Sequence, residues 1–258
     1  YFMEYASYVD NQGGRLVLVP SKENFDPDIS ALESKIDENT AGIIINSPNN
    51  PTGAIYSDEV LEELGKMLTQ KSKEIGRTLY LFSDEPYRKI VYHNMKVPSV
   101  FAHYPHSFVI TSYSKDLSLP GERIGFVALH PEAEDRENII AGCILANRIL
   151  GFVNAPALMQ RVVARLQGIT TDVEAYQRKR DLLSNGLSSI GYDFEPPAGT
   201  FYLFPKAPGG DEMAFIKALQ EERILAVPGG GFAAHGYFRL AFCVEDRVIT
   251  GAMPGFEK

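Results

Sequence analysis

The chain has 258 residues, 45% apolar and 22% charged, and carries a net charge of −8 from 25 Lys and Arg against 33 Asp and Glu. That length allows one large or two moderate domains with a proper core. The acidic balance argues against a general binder of nucleic acid or anionic membrane, and no apolar run approaches membrane-spanning length.

The opening stretch, YFMEYASYVDNQGG, is rich in aromatic residues and reads as the interior of a longer protein. Residues 16–19 form a short apolar run ending at Pro20, which predicts a strand. The spacing of Ile29, Leu32 and Ile36 predicts a helix over 28–36. GIIIN, residues 42–46, is apolar throughout until its last residue, as in a strand of a sheet covered on both faces. Ser57 is a candidate N-cap for a helix over 57–74, with Val60, Leu61, Leu64 and Leu68 on one stripe. Further strands are expected at 79–83, 108–111 and 124–129. Strands separated by helices predict parallel β/α units.

The second half changes character. Helices are expected over 138–150 and over 157–187, the latter kinked near Gly168. Short strands follow at 192–195, 200–204, 224–227 and 237–242, with a helix at 211–222. The fold class expected is therefore α/β: a mostly parallel sheet with helices on both faces, joined to a smaller C-terminal α+β domain. The large domain takes 1–155; the long helix and small domain take 156–258. Cys143 and Cys243 have no metal-ligand spacing. They are expected as buried, reduced thiols of a cytoplasmic protein that holds no metal.

In open α/β sheets, ligands bind beyond the carboxyl ends of the strands. The strand at 42–46 delivers SPNNPTG there, the next delivers DEPY, and the third delivers SYSK. An amide (Asn50), a carboxylate with a phenol (Asp84, Tyr87) and a lysine among hydroxyls (Lys115, Ser112, Ser114) thus share one rim. Asp84 is either a helix cap or salt-bridge partner, or a carboxylate that keeps a ring nitrogen protonated. Lys115 is either a solvated loop lysine or a Schiff-base lysine, which needs desolvation or a neighbouring cation such as Arg123. Arg123 also suits a phosphate. In YFRLAF, alternation puts Tyr237, Arg239 and Ala241 on one face and Phe238, Leu240 and Phe242 on the other. Arg239 is then a structural ion pair or a bidentate clamp for a carboxylate. Gly229, Gly230, Gly231 and Phe232 lack the lysine and helix of a phosphate loop, and read as an active-site loop or a plain turn. GTFYLFP, 199–205, is expected to wall the substrate side with aromatic surface.

NNPTG, SDEPY, SYSKDLSLPGERIG and YFRLAF, in this order, resemble the fold-type I aminotransferases of class I and II. The resemblance runs over essentially the whole chain. It implies pyridoxal 5′-phosphate as cofactor and an L-amino acid and a 2-oxo acid as substrates. It also implies a homodimer, with no nucleic acid or membrane as partner. Lys115 would form the Schiff base and shuttle the substrate's α-proton. Asp84 would pair with the pyridine nitrogen, and Tyr87 and Asn50 would bond the ring's phenolic oxygen. Ser112 and Arg123 would hold the phosphate, and Phe2 would stack on the ring. Arg239, assisted by Asn50, would bind the substrate α-carboxylate.

The family's glycine-rich phosphate loop has no counterpart in these residues, so a polypeptide of these residues alone is expected to bind the cofactor weakly. Arg148 falls one position from where a dicarboxylate-specific member carries its second arginine, and is expected as a surface helix residue. A β-eliminating lyase or synthase on the same scaffold is the alternative function. A cofactor-sensing regulatory domain is a third.

Overall fold

The computed structural model describes residues 1–258. Helix α1 (Glu4–Asp10) opens the chain. Residues 16–19 form no strand: no neighbouring strand pairs with them, and Val17 and Leu18 stand exposed. Helix α2 (Ile29–Lys35) begins where expected, with Asp28 Oδ1 accepting from the Ala31 N–H at 2.9 Å.

Strand β1 (Gly42–Asn46) leads into α3 (Asp58–Ile75), whose N-cap is Ser57, accepting from the Val60 N–H at 3.3 Å. The α3 stripe of Leu61, Leu64 and Leu68 is buried against Ile45, Leu79 and Leu81. That burial of one apolar face holds the helix on the sheet. Strand β2 (Tyr80–Asp84) runs parallel to β1, with Asn46 opposite Asp84, and β3 (Ser107–Ser112) runs parallel to β2. The two-sided cover expected for β1 is incomplete, since Ile44 is exposed.

After β3 the chain makes a single helical turn, α4 (Tyr113–Asp116), then a 3₁₀ turn, Pro120–Glu122, and returns as β4 (Gly125–Leu129). Here β4 pairs antiparallel with β3, Ser112 opposite Gly125. The parallel unit expected at this point needs a crossover of a dozen residues or more, usually a full helix. One turn and a Pro-Gly reversal give a return strand instead. The sheet order is β1-β2-β3-β4, mostly parallel.

Helix α5 (Arg136–Ile149) is exposed along its length, Arg148 included. The long helix expected over 157–187 is two helices, α6 (Ala157–Arg165) and α7 (Val173–Ser189). Gly168 between them takes φ +86°, left-handed, and Asp172 caps α7 afresh by accepting from the Ala175 N–H at 2.8 Å. Strand β5 (Tyr202–Leu203), helix α8 (Glu212–Glu221), and strands β6 (Val227–Pro228) and β7 (Phe238–Ala241) follow. They form a second sheet, ordered β5-β7-β6. Residues 192–195 pair with no strand. Helix α9 (Asp246–Phe256), unforeseen in the sequence, packs Ile249 and Phe256 against this sheet's core with Leu183, Leu187 and Phe238. Tyr87, Ile90 and Tyr92, from just beyond β2, belong to the same core, so the second sheet is packed onto the rim of the first.

No helix is long and apolar enough to cross a membrane. Cys143 and Cys243 are both free and both exposed, not buried as expected. Cys143 lies on α5, whose faces are all open, and Cys243 follows the end of β7.

Candidate active site

The ends of β1, β2 and β3 meet as the sequence predicts, held by hydrogen bonds that run between them. Asn46, the last residue of β1, donates from Nδ2 to the Asp84 carbonyl at 2.8 Å and accepts on Oδ1 from the Asn50 N–H at 2.7 Å. One amide thus fixes both the end of β2 and the loop that carries Asn50. That loop closes at Gly53, with φ +73°, where a Cβ would lie 2.3 Å from the Pro197 side chain and 2.8 Å from the Gly199 carbonyl. Only glycine allows the approach. It brings NNPTG against the segment leading into Phe201 and Tyr202.

The turn after β2 is fixed in the same way. The Glu85 N–H donates to the Ile110 carbonyl at 2.8 Å. The buried Glu85 carboxylate accepts from Ser83 at 2.8 Å and from Arg88 at 2.7 Å. Asp84 plays no capping part. Its Oδ2 accepts from the Tyr5 hydroxyl at 2.5 Å, and no lysine, arginine or histidine pairs with it. Burial raises its pKa above the usual aspartate range; the Tyr5 hydrogen bond opposes this and the Glu85 charge adds to it. Burial and the Asp84 carboxylate in turn push the Tyr5 phenol upward. Phe2, expected beside the cofactor ring, packs edge-on against Tyr5, centroids 5.6 Å apart, and so reaches Asp84 through it.

Lys115 sits on α4, one turn too short to be stable alone. Ser112 Oγ accepts from the Ser114 N–H at 3.4 Å at one end of the turn. At the other, the Asp116 carbonyl accepts from the Thr171 N–H at 2.7 Å, and the Asp116 carboxylate pairs with Lys89 at 3.1 Å. Lys115 Nζ makes no ion pair. It lies 6.0 Å from the centre of the Tyr87 ring and 5.9 Å from that of Phe201. The Tyr87 hydroxyl donates to Tyr202 at 3.3 Å, and burial, then Tyr202, raise the Tyr87 pKa.

Arg239 makes no carboxylate pair either. Its Nη1 donates to Asn50 Oδ1 at 2.8 Å. Its guanidinium carbon lies 4.2 Å from the Tyr202 ring centre and 4.8 Å from that of Phe232. The 3₁₀ turn Gly229–Phe232 is therefore part of the Arg239 wall. Arg123 stands apart: exposed, with φ +49°, its Nη1 bonded to the Pro120 carbonyl at 2.8 Å. It does not touch Ser112, but the Ser112–Gly125 register places it two residues beyond, at the same end of the sheet.

The structure therefore joins Lys115, Tyr87, Asn50 and Arg239 into one network, with Phe201 and Tyr202 between them. Asp84 is tied to it through Asn46. Sequence reasoning missed Asn46 and Tyr5 as site residues and placed Tyr202 only within an aromatic wall. Tyr5 falls three residues after Phe2, one helical turn on, which is the signal that would have found it.

A half-buried carboxylate with no cation and a lysine with no ion pair at the ends of the parallel strands, facing an arginine with no carboxylate partner on β7 of the second sheet, define the class: an α/β protein with a polar site where its two sheets meet. The donor set fits pyridoxal phosphate, with Asp84 in need of a cation and Lys115 offering an unpaired amine.

The chain belongs to the aminotransferase class I and II family, whose model matches residues 1–253, and the cofactor of that family is pyridoxal 5′-phosphate. It is 30% identical to the aspartate/prephenate aminotransferase of Thermus thermophilus, covering 100% of this chain and 67% of that protein. It is also 30% identical to a probable aspartate/prephenate aminotransferase of Aquifex aeolicus, covering 97% and 66%. Among solved structures, an amino transferase from Eubacterium rectale superposes with a TM-score of 0.97 at 47% identity, covering 100% of this chain and 65% of that one. The Thermus thermophilus aspartate aminotransferase with maleate gives a TM-score of 0.82 at 30% identity, covering 100% and 67%. The chain thus spans about two thirds of the length of the relatives it matches.

Asp84 carries a prediction about pH. A carboxyl whose folded pKa is raised holds a proton that the unfolded chain has already released. Stability is then lost as pH rises from the ordinary aspartate range through the raised value. Tyr5→Phe removes the one hydrogen bond that favours the carboxylate, so the loss extends to higher pH. Asp84→Asn abolishes it. Thermal unfolding of the cofactor-free protein between pH 4 and 8 measures this, and identical profiles for all three proteins would contradict it.

Proposed function

We propose that this protein is an aminotransferase. It moves the amino group of an L-amino acid to a 2-oxo acid, with pyridoxal 5′-phosphate tethered covalently to Lys115. The observation that carries the reading is the place of the Lys115 amine. It is unpaired, flanked by the Tyr87 and Phe201 rings, within a network that ends at the Asn50–Arg239 pair.

When bound, the cofactor supplies an electron sink for the bond broken at the substrate's α-carbon. Asp84 would pair with the ring nitrogen and favour its protonated form, a cation that would relieve the carboxylate's own burial. Tyr87 and Asn50 would hydrogen-bond the phenolic oxygen. Lys115 would take the substrate's α-proton as general base and return it as general acid. Arg239 binds the α-carboxylate through the guanidinium edge that Asn50 leaves free, which orients the α-carbon toward Lys115. Ser112 and Arg123 would take the phosphate, and Phe2, braced on Tyr5, would cover the ring. Exposed Ile144, Leu145, Ile149 and Phe152 on and after α5 support a homodimer. Two exposed free thiols fit the reducing cytoplasm. The two sheets support a division into a cofactor-binding part, 1–155, and a smaller domain, 156–258.

Borohydride reduction of the intact protein with pyridoxal phosphate, followed by peptide mass spectrometry, tests the reading. The adduct is expected on Lys115; an adduct elsewhere, or none, overturns it. Product analysis tests the reaction type. Transamination leaves pyridoxamine phosphate and a 2-oxo acid, whereas β-elimination releases ammonia and pyruvate.

A further inference from the structure

One residue of the aromatic wall touches both halves of the site. Tyr202 lies on β5 opposite Ala241 of β7, so Arg239, two residues along, is its diagonal neighbour on the same face. Ala241 is small, which leaves room for the Tyr202 ring to lean across to Arg239. The ring centre lies 4.2 Å from the guanidinium carbon, with Phe232 at 4.8 Å as a second ring. The other end of Tyr202, its hydroxyl, lies 3.3 Å from that of Tyr87. The ring is held firmly: Tyr202 is buried, its N–H bonds to the hydroxyl of Thr200 at 3.2 Å, and Thr200 is itself buried with φ +66°. The Tyr92 hydroxyl donates to the Thr200 carbonyl and pins that conformation.

We propose that Tyr202 is a positioning residue that couples the cofactor side of the site to the substrate side. Its hydroxyl sets the direction of the Tyr87 hydroxyl, and its ring fixes the plane in which Arg239 offers its free edge to a carboxylate. The proposal rests on the functional reading above. A phenol both donates and accepts. When Tyr87 turns its proton toward a bound ring oxygen, Tyr202 supplies the hydrogen bond that Tyr87 then accepts. A stacked guanidinium keeps its in-plane N–H groups for hydrogen bonding while its face is satisfied by the ring.

Two substitutions separate the two contacts. Tyr202→Phe keeps the ring and removes the hydroxyl; Tyr202→Leu removes both. In the cofactor-loaded intact protein, two quantities are measured. One is the midpoint of the pH titration of the cofactor's absorbance without substrate, where the nearby titrating and charged groups are Tyr87, Lys115, Asp84 and Arg239. The other is the calorimetric Kd of 3-phenylpropionate and succinate, carboxylates that lack an amino group. Tyr202→Phe is expected to move the midpoint by about half a pH unit and to leave both Kd values within about twofold. Tyr202→Leu is expected to move the midpoint similarly and to weaken both carboxylates about tenfold. Unchanged carboxylate binding in Tyr202→Leu, or an unmoved midpoint in Tyr202→Phe, overturns the proposal. Should Tyr202→Leu fail to fold, the midpoint in Tyr202→Phe decides alone. Wild-type protein that develops no cofactor absorbance overturns the functional reading itself, and the coupling with it.

Discussion

Lys115→Ala is expected to lower kcat by about 10²- to 10⁴-fold, the usual contribution of a positioned general acid/base. The KM for the amino acid should hold nearly constant. The separation follows from the geometry. Arg239 and Asn50 hold each other at 2.8 Å with no hydrogen bond to Lys115, so carboxylate binding is expected to survive its removal. The Lys115 amine instead stands over the space between the Tyr87 and Phe201 rings, about 6 Å from each. A small primary amine added to the buffer should recover part of the rate, because truncation leaves a gap of about that size. Lys115→Arg is the sharper variant. It keeps the positive charge, but a guanidinium stays protonated at any working pH and cannot accept a proton. It should be as inactive as alanine and should not respond to added amine. Steady-state rates for the three proteins, with and without amine, measure this. Substantial activity in Lys115→Arg would mean that the charge matters and the proton transfer lies elsewhere.

Much of this site was legible because chemistry and secondary structure coincide at strand ends. Asn50, Asp84, Tyr87 and Lys115 each follow a short apolar run by a few residues, and strands of a parallel sheet must deliver such residues to one edge. Arg239 was legible through alternation alone: Phe238, Leu240 and Phe242 are buried on one face, and Arg239 takes the other. What stayed hidden depends on which strands meet. The direction of β4 turned on whether residues 113–124 form a crossover or a reversal, and apolar content does not distinguish these. The break between α6 and α7 was signalled by Gly168, but a kink and a full stop look alike until Asp172 is seen capping a new helix. Tyr5 and Tyr202 lie far along the chain from their partners, and no local period links them to Asp84 or Arg239. The exposure of both cysteines was misjudged because free cysteine is usually buried, and that tendency says nothing about a helix as open as α5.

Asp84→Asn is expected to reduce kcat/KM by about 30- to 5,000-fold, the effect of removing one member of a buried hydrogen-bonded charge pair, about 2–5 kcal/mol. Asparagine retains the shape of the side chain and can still accept from Tyr5. The variant therefore isolates the charge. The folded protein spends stability on that charge: Asp84 is half-buried beside the buried Glu85, with a phenol as its only hydrogen-bond donor. A carboxylate kept in such a place without a cation costs free energy that packing must offset. A protonated ring nitrogen would relieve the cost and be held protonated in return. Asp84→Asn should consequently leave the cofactor-free protein as stable as wild type or more so above the ordinary aspartate range, while weakening its hold on pyridoxal phosphate. The opposing signs are the test. A generic structural aspartate would lose stability and activity together, whereas a carboxylate placed for a cation loses affinity and rate while the empty protein gains. Thermal unfolding at pH 7 without cofactor, a fluorescence titration with pyridoxal phosphate, and kcat/KM on one preparation decide between them. Tyr5→Phe should show the affinity and rate losses in reduced form, about 10- to 150-fold, because a hydrogen bond to a charged group contributes on the order of 1.5–3 kcal/mol. Equal activity in Asp84→Asn and wild type would leave Lys115 without the electrostatic partner that the ring requires.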